Sequence, residues 1–178
     1  ALEHSELVSI IISNFNNEAY LENAIASALK QRAVNVEVII VDDGSSDNSL
    51  IVAQKLANNE QRVRVIPLLR NFGCFYARNI GIENARGKYI AFLDSDDVYH
   101  PEKICKQLYK IKSNPNTVAV GTYFRRWDES FERPLTPLKL GEVTILVNAE
   151  VFEKIGLFDS VRFGGDSEFR KRLLAAYP

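Results

Sequence analysis

Short apolar runs alternate with helical patterns along this chain, and that alternation constrains the fold more than any other feature. The runs are rich in β-branched and aliphatic residues, as in strands buried on both faces: Leu7 to Ser13, Val36 to Val41, Val63 to Ile66 and Tyr89 to Leu93. A helical pattern follows each run. Such alternation predicts an α/β fold, with a Rossmann-like, mainly parallel sheet flanked by helices on both faces.

Turn and capping residues predict the ends of several helices. Asn16 or Asn17 can cap the first helix, and Asp47 can cap the second. A third helix is expected from about Phe75 to Arg86, with Gly87 in the C′ position. Pro101 suits the first turn of a fourth helix.

The rhythm changes in the last third of the chain. We predict five further segments there: a strand at Val118 to Phe124, a loop or lid at Arg125 to Leu140, a strand at Glu142 to Val147, a short helix at Ala149 to Ile155, and a last helix from about Asp166.

The bulk composition is that of one ordinary globular domain, with 46% hydrophobic and 25% charged residues. The net charge of −1 excludes a global field that would attract nucleic acid. No apolar run is long enough to span a membrane, and no secretory signal opens the chain. Cys74 and Cys105 are read as reduced thiols, so we expect a cytoplasmic location, including the inner face of a membrane. Residues 1–178 are expected to form one domain cut from a longer chain, since methionine is absent even at position 1.

Three carboxylates lie within four residues at Asp94-Ser95-Asp96-Asp97, directly after the fourth predicted strand. Like charges this close require a cation or strong hydrogen bonds. Carboxylate oxygens suit Mg²⁺ or Mn²⁺, and Mg²⁺ is commonly held by one or two carboxylates together with substrate phosphates. The alternative is a solvated acidic loop that caps the helix near Pro101. Ligands of α/β sheets bind beyond the carboxyl ends of strands, which favours a divalent metal site.

Three other polar positions have both a chemical and a structural interpretation. Asp43 follows the second strand and either accepts hydrogen bonds from a base or ribose, or belongs to a plain turn. Arg78 either contacts a carboxylate or phosphate, or is a surface arginine. Asp166 opens the last helix and either serves as a general base or only caps the helix.

In their order and spacing these segments resemble family 2 of the glycosyltransferases, which has the GT-A fold, from about Val8 to Arg172. The matching pieces are VSIIISNFN from Val8 to Asn16, VDDGS from Val41 to Ser45, NFG from Asn71 to Gly73, ARNIG from Ala77 to Gly81, GKYIAFLDSDD from Gly87 to Asp97, and GDSEFRKR from Gly165 to Arg172.

The resemblance implies a role for each site residue. The nucleotide site would be lined by Ser13, Phe15, Asn16, Asp43, Arg78 and Asp94. Asp43 would lie near the base and Asp94 near the ribose. Asp96 would bind a metal that bridges to the diphosphate, with help from Asp97, and Asp166 would be the catalytic base.

The activity implied is transfer of a hexosyl group with inversion, assisted by Mg²⁺ or Mn²⁺. The donor would be a nucleotide-sugar, with a UDP-sugar expected, and the acceptor a hydroxyl of a glycan, lipid-linked or other molecule in bacterial-type surface polysaccharide or glycoconjugate synthesis. A nucleotidylyltransferase is one alternative, although Ser13 to Asn17 lacks the basic residues that its phosphate loop needs. A non-catalytic sugar-nucleotide-binding module is the other.

Two departures from the family pattern bear on these roles. Gly165 replaces the usual Glu before the base, so Glu168 is a competitor for Asp166. Ser13-Asn14-Phe15 replaces the commoner Pro-Thr-Tyr, which leaves the base preference of the nucleotide site open.

Overall fold

The elements of the fold follow the predicted alternation of strands and helices. The computed structural model describes residues 6–128, 130, 133–141, 144–161 and 163–178. The strands are β1 Leu7–Asn14, β2 Asn35–Asp42, β3 Val63–Pro67, β4 Tyr89–Asp94, β5 Ala119–Val120, β6 Tyr123–Phe124, β7 Lys139–Leu140 and β8 Leu146–Asn148. The helices are α1 Glu18–Leu29, α2 Ser49–Asn59, α3 Cys74–Glu83, α4 Lys103–Lys112, α5 Glu150–Ile155 and α6 Gly165–Ala176.

Within the described residues, six strands form the main sheet in the order β3-β2-β1-β4-β8-β5. The first four strands in the chain pair in parallel, and β8 pairs antiparallel with β4 and β5. A mainly parallel sheet is therefore confirmed. Strands β6 and β7 form a separate two-stranded ribbon.

Both faces of the central strands are buried, which explains why those strands are apolar throughout. On one face Val8, Ile10 and Ile12 pack with buried residues of α1 and α4. On the other face Ile11 packs with the aromatic residues that precede and open α6. Each fully buried isoleucine contributes about 2 kcal/mol through removal of apolar surface from water.

The strand expected from Val118 to Phe124 is wrong as a single element. It divides into β5 in the main sheet and β6 in the ribbon, because the chain leaves the sheet at Thr122. There Thr144 Oγ1 donates a 2.6 Å hydrogen bond to the Thr122 carbonyl and fixes the base of the ribbon. The strand expected from Glu142 lies partly outside the described residues, since 142 and 143 are not described, and β8 begins at Leu146.

Two predicted helix ends also differ from the structure. Helix α3 ends at Glu83, so Gly87 is not its C′ residue. Gly87 instead lies against β1, where a Cβ atom would stand 2.6 Å from the Ser9 nitrogen. Asn17 is the N-cap residue of α1, as predicted, although its side chain makes no capping hydrogen bond. The N-cap position of α2 is Asn48 rather than the predicted Asp47. The Asp47 carboxylate nevertheless accepts from the first N–H of both helices, Glu18 at 3.0 Å and Ser49 at 2.9 Å.

In the part of the chain described here, no helix is both long enough and apolar enough to cross a membrane.

Candidate active site

Three strand ends lie side by side at one edge of the sheet and bring the predicted site residues together. In the parallel register Ser13 lies opposite Asp94, and Asn14 lies opposite Asp42. Asp43 continues directly from Asp42. This edge therefore groups residues of β1, β2 and β4, as expected from the strand-end rule for α/β sheets.

Arg78 is the centre of the site rather than a surface residue. Its side chain is only 4% exposed, and its guanidinium lies 5.3 Å from the Phe75 ring centroid. One terminal nitrogen donates to Asp94 Oδ1 at 2.7 Å, and the other donates to Asp166 Oδ1 at 2.8 Å. A single planar cation thus links the end of β4 to the start of α6, and the prediction that Arg78 contacts a carboxylate is confirmed.

The charge of Arg78 is maintained by these two partners. Burial alone lowers the pKa of the guanidinium, but the Asp94 and Asp166 carboxylates outweigh it and hold the pKa of Arg78 above its usual value. Arg78 therefore stays positively charged, and its two ion pairs hold the guanidinium in place between Asp94 and Asp166.

Asp43 is buried and connects β2 to the segment before α3. Its Oδ1 accepts from the Phe72 N–H and its Oδ2 from the Gly73 N–H, both at 2.8 Å. Gly44 follows with φ of +73°, and a Cβ atom there would lie 2.5 Å from the Arg70 carbonyl carbon. Asp43 therefore fixes the backbone at Phe72 and Gly73 beside the strand ends. Each of its carboxylate oxygens keeps a lone pair that can accept one more hydrogen bond. Its contact with a nucleotide stays a prediction.

The predicted nucleotide-site residues after β1 differ in how free their side chains are. Phe15 is 44% exposed and offers an aromatic face. Asn16 adopts a positive φ of 52°, and its Oδ1 accepts from the Ser46 N–H at 2.7 Å. Ser13 is half-buried. The ring of Phe15 is therefore accessible for stacking on a base. Asn16 joins the loop after β1 to the loop after β2. Nucleotide contacts of Ser13, Phe15 and Asn16 stay predictions.

The acidic cluster after β4 sets two exposed carboxylates, Asp96 and Asp97, beside the Asp94 carboxylate that Arg78 binds. Asp96 and Asp97 are solvent-accessible, and Ser95 is buried and accepts from Asn17 Nδ2 at 2.8 Å. Partial desolvation, followed by repulsion from Asp94 and Asp96, raises the pKa of Asp97 to about 6, although Arg126 opposes the shift. The donor set thus suits a hard divalent cation.

Within the described ranges, however, no three His, Cys, Asp or Glu side chains converge as a closed metal site. The arrangement suits a metal ion that is bound by one or two of these carboxylates and by the phosphates of a substrate. This is the usual coordination of Mg²⁺.

Replacing Asp97 with Asn is expected to stabilise the fold at neutral pH. The native pKa of about 6 lies above the ordinary value of 3.8, so ionisation of Asp97 lowers stability as pH rises between these values. The free energy of unfolding should rise by about 1 kcal/mol at pH 7.5, after allowance for solvent screening. The gain should vanish near pH 3, where the carboxyl is protonated in both states.

Urea denaturation at both pH values measures this effect, with Glu83→Gln, an exposed carboxylate at the end of α3, as the control. An equal gain at both pH values would contradict the assignment.

Asp166 and Glu168 both lie in the first turn of α6 but have different surroundings. Glu168 is paired with Arg172, whose NH2 lies 2.7 Å from Oε2, and this hydrogen bonding lowers the pKa of Glu168. Gly165 faces the Phe75 ring, which would lie 3.0 Å from an added Cβ, so a side chain at this position would require the ring to shift. Asp166 shares Arg78 with Asp94 at the end of β4, whereas Glu168 pairs with Arg172, so Asp166 is the carboxylate of α6 that is linked to the strand ends.

The family model described as glycosyl transferase family 2 matches residues 9–172. The chain belongs to glycosyl transferase family 2. The matched range contains the three strand ends, Arg78 and Asp166, so the whole candidate site lies within the family domain.

Known members and solved structures agree with this assignment. Bacillus subtilis TuaG, named as a candidate teichuronic acid biosynthesis glycosyltransferase, is 41% identical over 102 residues, which cover 57% of this chain and 40% of TuaG. The chain spans about half the length of the curated relatives it matches.

Two solved structures show the same fold, of GT-A type. The Pyrobaculum calidifontis mannosyltransferase PcManGT, in complex with GDP-Man and Mn²⁺, has a TM-score of 0.79 at 17% identity, covering 98% of this chain and 54% of its own. S. aureus TarS 1-349 in complex with UDP-GlcNAc has a TM-score of 0.74 at 24% identity, covering 96% of this chain and 53% of its own.

Sequence reasoning assigned no role to two residues that organise this family 2 site. Asn79 is buried and binds the backbone of Phe158. Arg172 donates from NH2 to the Leu157 carbonyl at 2.8 Å and also bonds the Ile155 carbonyl. Both residues lie inside segments that carry the family resemblance. Their partners are backbone groups 79 residues away for Asn79 and 15 to 17 residues away for Arg172, and no side-chain pattern in the sequence indicates such contacts.

Proposed function

We propose that this chain is the catalytic domain of an inverting, metal-assisted glycosyltransferase. The donor is a nucleotide diphosphate sugar, with a UDP-sugar as the first candidate, and the acceptor is a hydroxyl of a glycan or lipid-linked molecule. The product would belong to surface polysaccharide or glycoconjugate synthesis. A cytoplasmic location is part of the proposal, supported by the free thiols of Cys74 and Cys105.

One observation carries the proposal: Arg78 links Asp94 to Asp166 within 2.8 Å on each side. Asp94 ends a strand beside the acidic cluster, where a nucleotide diphosphate would bind. Asp166 opens a helix from a different part of the chain. Because Asp94 and Asp166 share one cation, the contact supports a proposal in which a donor-binding carboxylate and a base act in one site, as a direct displacement requires.

In the proposed reaction Asp166 accepts the proton of the acceptor hydroxyl as that oxygen forms a bond to the anomeric carbon. The bond from this carbon to the diphosphate breaks on the opposite side, and the nucleoside diphosphate leaves with the electron pair. The anomeric configuration is therefore inverted. A divalent cation held by Asp96 and Asp97 would supply charge neutralisation at the leaving diphosphate.

The related proteins suggest which ligands to test first. TarS was solved with UDP-GlcNAc, PcManGT with GDP-Man and Mn²⁺, and the name of TuaG refers to teichuronic acid biosynthesis. These ligands define a small panel for this chain, namely UDP-sugars and GDP-mannose with Mn²⁺.

The panel is tested first by thermal shift, because a ligand that binds only the folded state raises Tm. Release of nucleoside diphosphate from the stabilising donor then measures hydrolysis or transfer. Pyrophosphate release from a nucleoside triphosphate would point to a nucleotidylyltransferase instead. Binding without any turnover, with or without acceptor, would point to a non-catalytic module.

Replacing Asp96 with Ala should remove metal-dependent nucleotide binding. UDP affinity with Mn²⁺ should fall to the value measured in EDTA, because the bridge between carboxylate and diphosphate is lost. Asp159→Ala, which removes an exposed carboxylate before α6, is the matched control and should bind UDP normally. Unchanged UDP affinity of Asp96→Ala, with and without Mn²⁺, would overturn the metal assignment.

A further inference from the structure

The described residues between α5 and α6, namely 156–161, 163 and 164, lead into the turn that carries Asp166 and form no helix or strand. This segment is bounded by Gly156 and Gly164, each with φ of +80°. Phe163, close to the start of α6, is 85% exposed and packs little. The position of the proposed base therefore depends on specific anchors within this segment.

Asn79 of α3 provides one anchor by binding both polar groups of a single peptide residue. Its Nδ2 donates to the Phe158 carbonyl at 2.8 Å, and its Oδ1 accepts from the Phe158 N–H at 3.0 Å. Asn79 is only 9% exposed, so water competes weakly for these bonds. The amide thus holds the backbone of Phe158 as a neighbouring strand would.

The ring of Phe158 extends this anchor into the core and toward α6. It lies 4.5 Å from the Phe169 ring centroid and 5.3 Å from that of Phe92. Phe169 belongs to the first turns of α6, and Phe92 belongs to β4. Phe158 is consequently fixed at its backbone by α3 and at its ring by both elements that carry the site carboxylates.

Asn79 directly follows Arg78, whose guanidinium binds Asp166 Oδ1. Two consecutive residues of one helix therefore hold the base, one at its carboxylate and the other through the segment that leads into α6. We propose that Asn79 is a positioning residue for Asp166, acting through Phe158. This inference rests on the proposed glycosyl transfer, because it assumes that Asp166 is the base.

Asn79→Ala in the full chain tests the proposal. Loss of the anchor lets the start of α6 shift, and a displacement near 1 Å is expected to lower kcat roughly 10- to 100-fold. The KM for the nucleotide-sugar and the affinity for UDP should stay within about twofold, since the strand ends that would bind the donor are untouched. Should Asn79→Ala not fold, Asn79→Asp retains the bond from the Phe158 N–H but turns a carboxylate oxygen toward the Phe158 carbonyl, so it loses the donated bond and should also lower kcat.

Two controls separate positioning from loss of stability. Asn84→Ala removes the same side chain from the exposed end of α3, where it bonds only within the helix, and should leave kcat unchanged. Val36→Ala creates a small cavity at the opposite edge of the sheet and should lower Tm without changing kcat. A folded Asn79→Ala variant with unchanged kcat overturns the inference, as does a fall in kcat that Val36→Ala reproduces. If the wild-type chain shows no sugar transfer with any donor, the proposed function fails instead.

Discussion

Replacing Asp166 with Asn is expected to lower sugar transfer by about 10²- to 10⁴-fold, the usual contribution of a general base. The amide keeps the size of the carboxylate but cannot accept the acceptor proton. Nucleotide binding should persist, because Ser13, Asp43 and Asp94 are untouched. Initial rates of nucleoside diphosphate release, measured beside UDP affinity, distinguish the two effects.

Two matched variants sharpen this test. Asp159→Asn makes the same change at an exposed position before α6 and should transfer normally. Glu168→Gln removes the competing carboxylate and should lower Tm through loss of its pairing with Arg172, while transfer persists. If Glu168→Gln abolishes transfer and Asp166→Asn does not, the base is Glu168.

Replacing Arg78 with Met should have the largest effect on stability. The change removes a cation that is 4% exposed, together with its hydrogen bonds to Asp94 and Asp166. Breaking a buried ion pair costs about 3–5 kcal/mol, and we expect the lower end because both carboxylates retain some contact with water. Chemical denaturation measures the loss, and donor binding and transfer should fall with it.

The chain provides an internal comparison for this prediction. Arg62 pairs with Glu60 at 2.8 Å, but its side chain is 46% exposed. Arg62→Met should therefore cost less than about 1 kcal/mol and leave transfer unchanged. Arg78→Lys keeps the charge but cannot reach both carboxylates with a planar fork, so it should restore part of the stability and little of the activity. Equal losses for Arg78→Met and Arg62→Met would contradict the bridging role.

Arg78, Asn79 and Arg172 together hold Asp166 and the residues that lead into α6. Arg78 binds the carboxylate, Asn79 binds Phe158, and Arg172 binds the carbonyl groups at the end of α5 and just after it. Gly165 packs on Phe75 within this arrangement. A side chain in place of Gly165 would therefore contact this ring closely.

Local patterns in the sequence were sufficient to predict the four parallel strands and the edge at which Ser13, Asp43 and Asp94 meet. Buried strands such as β1 and β4 are apolar because both faces are covered, so their limits are visible without any knowledge of the neighbours. The parallel arrangement then requires their carboxyl ends to meet at one edge. The placement of Ser13, Asp43 and Asp94 together follows from these local and topological rules.

Only the tertiary structure decided which charges meet. Arg78 and Asp166 are 88 residues apart, and nothing in the spacing distinguishes a buried bridge from a surface arginine. Likewise the division of Val118 to Phe124 between two sheets depends on long-range contacts. Strand and helix periodicity reflects the local alternation of buried and exposed positions. Ion pairs and strand partners instead depend on how distant segments pack, which local periodicity does not encode.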